Sequence, residues 1–245
     1  MTDPLFFAAD LGQPSVGGLV TLSGEDGRHA VIVRRIRPGE TIMVGDGRGR
    51  GVRGEVREVG RDSLILSVTE QLVEPEPRRT VIAVQALAKG DRSELAVEML
   101  TETGVSEIIP WSASRSIVRW SGERGERSLA RWRSTAREAA KQSRRLRVAQ
   151  VSEPMSTADV VRRMRTFDRT LLLHEEARRR LGDLDLPDRA VFAIVVGPEG
   201  GIAPDELDAF VAAGADAVSI SDGVLRTSTA GAVAVALLRA CGASR

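Results

Sequence analysis

The string Val195-Val-Gly-Pro-Glu-Gly-Gly-Ile-Ala-Pro-Asp-Glu-Leu207 has the residue types of a ligand loop. An apolar run gives way to Gly197, Gly200 and Gly201, and Pro204 suits the first turn of a helix. A strand, a glycine loop and a helix in that order describe a site at the C-terminal edge of a sheet. Neither GxGxxG nor GxxxxGK[ST] occurs in this segment, and its loop and first turn carry Glu199, Asp205 and Glu206 with no basic residue. Three carboxylates repel a pyrophosphate, so a cationic or neutral small molecule is expected rather than a dinucleotide or nucleoside triphosphate. A tight β-α turn without a ligand is the plainer reading of such a string taken alone.

Two further strand ends point the same way. In Ser219-Ile-Ser-Asp-Gly-Val-Leu-Arg-Thr-Ser-Thr-Ala-Gly-Ala232, Thr227 or Ser228 suits the cap of the apolar helix that follows. Arg226, between Leu225 and that helix start, is placed to reach the cleft of the glycine loop. The run Leu171-Leu-Leu-His174-Glu175 is the third wall, with His174 otherwise a strand-end histidine bonded to the backbone. Gly45-Asp-Gly-Arg-Gly-Arg-Gly51 looks like a dinucleotide fingerprint, but Val52 to Val56 reads as a strand and a hairpin turn is expected. His29 and His174 are the only histidines and no GxSxG elbow occurs, so metal hydrolysis and serine-hydrolase chemistry are disfavoured and no metal is expected.

A different chemistry is written into residues 126 to 147. Leu129, Trp132, Ala136, Ala139, Ser143 and Leu146 recur at steps of three or four, the buried stripe of a helix. The other faces carry Arg127, Arg131, Arg133, Arg137, Lys141, Arg144 and Arg145. Such a ridge suits phosphate contacts, where the arginine fork adds bidentate geometry. Residues 111 to 150 hold 11 basic and 3 acidic groups in a chain whose formal charge is only +1. A solvated charged face is the alternative, and the scarcity of local carboxylates favours polyanion binding.

The elements that position these groups fall into two parts. Before residue 70, Leu19 to Leu22, Thr41 to Val44 and Leu64 to Val68 are short β-rich runs among glycines, which predicts a small β-barrel or sheet; one helix, about Asp26 to Ile36, interrupts it. Glu74-Pro-Glu-Pro77 opens a linker, taken as 74–79. Beyond it, strands are predicted at Val81 to Ala86, Glu107 to Pro110, Thr170 to Leu173, Val191 to Val196 and Ala217 to Ile220, with helical spacing between. Their apolar runs lack alternation, as strands covered on both faces should, so an α/β domain with a mostly parallel sheet is expected.

Composition excludes several classes. The 245 residues are 42% hydrophobic, enough to bury a core. Cys241 is the only cysteine, which excludes an intrachain disulfide and points to a reducing, cytoplasmic setting. No uncharged run approaches the roughly 18 residues of a membrane span, so no membrane partner is expected. Aromatics are 3% with no tyrosine, against a surface of stacking rings.

Taken in order, Lys89-Gly-Asp-Arg-Ser-Glu94, Thr101-Glu-Thr-Gly-Val-Ser-Glu-Ile-Ile-Pro110, Ser114-Arg-Ser116, Arg131-Trp-Arg133, Glu138-Ala-Ala-Lys-Gln-Ser-Arg144, Gly197-Pro-Glu-Gly-Gly201 and Leu225-Arg-Thr-Ser-Thr-Ala230 resemble the RsmE family. These are bacterial 16S rRNA uridine N3-methyltransferases of the SPOUT superfamily. The resemblance spans nearly the whole chain, and Arg28-His-Ala-Val-Ile-Val-Arg34 with its continuation to Gly39 is similar to the family's PUA-like domain. It implies a PUA-like β-barrel over 1–73 and a SPOUT α/β domain over 80–245 with a trefoil knot at about 170–235. It further implies a homodimer, the 30S subunit as partner, no DNA, and S-adenosylmethionine as methyl donor.

Carried onto this sequence, the cofactor site would comprise Leu172, Leu173 and His174; Gly197, Glu199, Gly200 and Gly201; Ile220 and Ser221; and Leu225, Thr227, Ser228 and Ala230. Arg226 and Glu199 are the catalytic candidates. RNA contacts would come from Arg28 and Arg34; Lys89 and Arg92; Arg115 and Arg119; and Arg133, Arg137, Gln142, Arg144 and Arg145. Ser228 stands where the family commonly has glutamate, so no acidic role is assigned to it. Glu98-Met99 stand where a Gln-Lys pair is common. The alternatives are a SPOUT enzyme acting on another RNA atom, such as a ribose 2′-OH, or a non-catalytic RNA-binding assembly factor.

Overall fold

The computed structural model describes residues 3–240, so Cys241 lies outside the described residues. The chain divides into two units: one takes in the described residues up to Glu76 together with Ala140–Val148, the other Pro77–Ala139 together with the described residues from Ala149 onward.

In the first unit, β1 (Leu5–Phe7), β2 (Leu19–Leu22), β3 (Thr41–Gly45), β4 (Arg50–Val59) and β5 (Leu64–Val73) form a sheet in the order β1-β3-β4-β5-β2. Only β1 and β3 run parallel. The register of β4 on β5 shifts at Arg53/Gly54 and Val56/Glu58, bends that bulges supply. The helix expected from Asp26 to Ile36 is a short α1 (Gly24–Arg28) that widens into a π-helical turn, His29–Val33. The unit is completed from far along the chain: Leu146 packs with Leu5, Phe7, Met43 and Ala140. At Gly51 a Cβ would stand 2.8 Å from Leu146 Cδ2, so a larger residue would push Leu146 aside.

The second unit is built on β6 (Arg79–Ala86), β7 (Glu107–Trp111), β8 (Gln150–Val151), β9 (Arg169–Leu173), β10 (Ala190–Val196) and β11 (Asp216–Val218). All pair in parallel, in the order β11-β9-β10-β6-β7-β8. The chain works outward from β6 to β8, returns to the far side of β6, and so reverses direction between β6 and β10. Helices α2 (Arg92–Glu102), α3 (Gly122–Gln142), α4 (Thr157–Arg163), α5 (Pro204–Ala212) and α6 (Thr227–Ala240) connect or follow the strands. Successive residues of β9 serve opposite faces: Leu171 and Leu173 join one core cluster with Phe192 and Val235, and Leu172 joins another with Trp111 and Phe210. That two-sided burial is why these strands read as unbroken apolar runs.

Helix α3 carries the expected stripe, with Leu129, Trp132, Ala136 and Ala139 buried. It starts earlier and stops sooner than its periodicity implies, ending at Gln142, with Arg144 in the left-handed region at φ 54°. Lys141, read from spacing as part of the basic ridge, is instead buried, and its Nζ donates to Asp26 Oδ1 at 2.5 Å.

Candidate functional site

Three loops meet beyond the C-terminal ends of β9, β10 and β11, close to where the strand order reverses, the position at which parallel sheets bind ligands. A cavity of about 310 Å³ lies there. Its walls include Leu173, Gly197, Glu199, Gly201, Leu225, Thr227 and Ala230, all named from sequence, with Arg226 and Arg92 at its edge. A smaller adjoining cavity shares Leu173, Leu225 and Ala230 and adds His174, Ile220 and Ser221. Glu175, Val196, Pro198 and Val224 line the larger space as well. Val224 is 79% exposed, an apolar side chain left open at the cleft.

Three other expected residues stand apart. Leu172 faces the core on the opposite side of the sheet, as the alternation along β9 requires. Ser228 is buried in the first turn of α6 and Gly200 is exposed, and neither lines either cavity.

Hydrogen bonds set the loops against one another. Thr227 Oγ1 donates to the carbonyl of Gly197 at 2.8 Å and accepts from Gln85 Nε2 at 3.1 Å, tying the start of α6 to the ends of β10 and β6. Gln85 is a fully buried amide in the apolar run of β6; that break in the pattern was its only sequence signal. Gly201 adopts φ +73°, which glycine alone takes without strain, and Ile202 after it lies 2.8 Å from where a Cβ on Gly197 would stand. His174 Nδ1 accepts from the amide of Glu176 at 3.2 Å, leaving the other ring nitrogen for a ligand. The Arg226 carbonyl accepts from the amides of Thr229 and Ala230, while its guanidinium has no hydrogen bond or ion pair among the described residues.

The electrostatics differ from the local sequence. Glu206, counted among three repelling carboxylates, is turned inward and buried, and Asp205 lies outside the cavity. Basic groups absent from the loop arrive from other elements: Arg92 Nη1 stands 3.9 Å from Glu199 Oε1, and Arg115 Nη1 donates to the Gly200 carbonyl at 3.2 Å. The cavity therefore presents both signs, with Glu175 and Glu199 facing Arg92 and Arg226. Among the described residues no group of three or more His, Cys, Asp or Glu is placed to hold a metal ion. No helix among them is long and apolar enough to cross a membrane.

The basic ridge is not one free surface. Arg119 donates to the carbonyls of Ala113 and Ser114, and Arg133 to Val151 O and Glu153. Arg137 is half-buried on α3. In the first unit, exposed Gln142 ends α3, Arg144 Nε donates to Asp3 O, and Arg145 pairs with Glu74 at 3.3 Å. Exposed and with no side-chain partner among the described residues are Arg28 and Arg34 in the first unit and Lys89 in the second.

Known proteins resemble this chain in sequence and fold. A family model described as RNA methyltransferase domain matches residues 74–239, and one described as RNA methyltransferase PUA domain matches 22–69. The ribosomal RNA small subunit methyltransferase E of Mycobacterium bovis is 45% identical over 239 residues, covering 96% of this chain and 90% of that protein. Its Bacillus subtilis counterpart is 30% identical, with 86% and 85% covered. The crystal structure of the Neisseria gonorrhoeae enzyme of that name, bound to S-adenosyl methionine, superposes with a TM-score of 0.85 at 27% identity over 98% of each chain. This chain belongs to the ribosomal RNA small subunit methyltransferase E family of RNA methyltransferases, the RsmE family.

Proposed function

We propose that this protein transfers a methyl group from S-adenosylmethionine to N3 of a uridine in the decoding region of 16S rRNA, on the assembled 30S subunit. The observation that carries the reading is the two-signed cleft at the reversal of strand order. Its residues fit the donor: Leu173, Val224, Leu225 and Ala230 offer an apolar wall for a nucleoside, and Glu175 and Glu199 offer negative charge to the sulfonium and the ammonium. The backbone of Gly197 and Gly201, with no side chain in the way, would take the polar edges. Ile220, Ser221 and His174 would line the adjoining end. Bound S-adenosylmethionine supplies a methyl group on a positively charged sulfonium.

The chain's own groups do the rest. N3 is on the pairing edge of uracil, so the base is held unpaired or turned out of its helix. Glu199 accepts the N3 proton, with Arg92 beside it holding the carboxylate in place. Arg226 stabilises the negative charge that spreads onto the flanking carbonyl oxygens. Holding base and donor in line is worth on the order of 7 to 11 kcal/mol in favourable cases. Arg28, Arg34, Lys89, Arg115 and Arg119 contact the RNA backbone, and Arg133, Arg137, Gln142, Arg144 and Arg145 contribute where their protein partners release them. The same reading gives a PUA-like barrel at 1–73, a linker at 74–79, a SPOUT domain at 80–245 with a trefoil knot near 170–235, and a cytoplasmic homodimer.

Two experiments bear on this directly. Calorimetric titration with S-adenosylmethionine should release heat and the cofactor should raise the melting temperature; absence of both would remove the assignment. Replacing Arg28 and Arg34 with alanine should lower the salt slope of RNA binding by roughly one unit per arginine. The heat of cofactor binding should stay as it was. An unchanged slope would clear Arg28 and Arg34 of a phosphate role.

A further inference from the structure

Glu206 is a buried carboxylate, 5% exposed, that the proposed chemistry does not use. It lies in the first turn of α5, where a glutamate ordinarily needs only to reach back to the amide before the helix. Here that bond, from Ala203 N to Oε2, is the longest it accepts, at 3.4 Å. Shorter ones come from elsewhere. Oε1 accepts from Ser114 N at 2.9 Å and Thr157 Oγ1 at 2.7 Å, and Oε2 accepts from Ser114 Oγ at 2.9 Å. Trp111 Nε1 donates to Thr157 Oγ1 at 3.1 Å and fixes that hydroxyl in turn. Charge-assisted bonds to four donors compensate the burial of the anion, and two of them grip one residue, Ser114.

Ser114 precedes Arg115. On its other side Arg119 Nη2 donates to Ser114 O at 2.7 Å and Nη1 to Ala113 O at 3.1 Å. Amide, hydroxyl and carbonyl of Ser114 are thus all held, which fixes where the next residue leaves the backbone. Arg115 spends one donor on the carbonyl of Gly200, and the Cβ of Arg115 lies 3.5 Å from the position a Cβ on Gly200 would take. A guanidinium has five N–H donors, so four remain. They sit beside the glycine loop, on an exposed side chain.

We infer that Glu206 is a positioning residue for methyl transfer: it holds the Ser114-Arg115 backbone against the glycine loop, so that Arg115 bridges that loop and a phosphate of the RNA substrate. This rests on the function proposed above.

The test is a double-mutant cycle on the full chain, with S-adenosylmethionine and 30S subunits lacking the modification. Glu206→Ala and Arg115→Ala are each expected to raise KM for RNA about tenfold with kcat retained, and the double variant by no more than either alone. Glu206→Gln, which keeps an acceptor for Ser114 N, should restore KM to within about threefold of wild type. A double variant reaching the product, about a hundredfold, would show that Glu206 does not act through Arg115, and failure of glutamine to rescue would likewise overturn the assignment. If Glu206→Ala does not fold, Ser114→Ala replaces it in the cycle. It removes one bond to the carboxylate, and its effect on KM must vanish when Arg115 is already alanine. Wild-type activity is measured first: no transfer by the wild type would defeat the proposed function and this inference together. An active wild type with additive variants would defeat this inference alone.

Discussion

Arg226→Ala is expected to lower kcat by about 10²- to 10³-fold, the range seen when one donor to a developing oxyanion is lost. The structure separates this side chain from the architecture around it. Its backbone carbonyl opens α6 by accepting from Thr229 and Ala230, bonds that alanine keeps. The guanidinium has no partner among the described residues and borders the cavity, so its removal leaves no buried group unsatisfied. Melting temperature and affinity for S-adenosylmethionine should therefore stay near wild type while turnover collapses. Arg226→Lys should recover only part of the rate, because an ammonium lacks the planar fork. Normal turnover by Arg226→Ala would take this residue out of the mechanism.

The second large effect is on stability. Asp26 and Lys141 have side chains only 3% and 5% exposed and stand 2.5 Å apart. Asp26 Oδ2 also accepts the amide of Phe7 at 2.7 Å. Asp26→Ala leaves an ammonium and an amide buried, and Lys141→Met leaves a carboxylate; each should cost about 3 to 5 kcal/mol. Replacing both, Asp26→Leu with Lys141→Met, should return part of that loss, since a well-packed apolar pair often matches a buried ion pair while the Phe7 amide still loses its carboxylate acceptor. Hydrogen exchange reports it locally: the Phe7 amide should lose protection in Asp26→Ala. A change in stability below about 1 kcal/mol, the level of an exposed pair, would contradict the burial described.

Much of the second unit was legible because its strands are covered on both faces. The runs from Val81, Glu107, Thr170 and Val191 appear as β6, β7, β9 and β10 within one or two residues. The two-residue β8 left no apolar run to read. In the first unit the hairpin at Gly45 to Gly51 was visible from its glycines, whereas three-residue β1 was not.

The candidate site divides along a physical line. Its backbone-rich part, the glycine loop and the turn into α6, was recognisable because glycine and proline fix local geometry. Charge was misread, because a sequence window shows only neighbours in the chain. The carboxylate of Glu206 turned inward, and Arg92 and Arg115 came to the loop from about a hundred and about eighty residues away respectively. Lys141 failed for a related reason: helical periodicity says which residues share a face, but not that the last turn of α3 belongs to a different unit from the rest.

That division of α3 bears on how the protein is made. The first unit holds the N-terminal strands, yet its core includes Ala140 and Leu146, and Val148 N donates to Gly47 O. It is first to start, yet it cannot finish until Val148 has been made. Between the emergence of Glu76 and of Val148 a ribosome adding 5 to 20 residues per second spends roughly 4 to 14 seconds. Throughout that interval the apolar faces of Phe7 and Met43 wait for their missing neighbour, and Asp26 waits for its cation. The early sheet is an open template in the nascent chain, closed only once Ala140–Val148, made after Pro77–Ala139, has emerged.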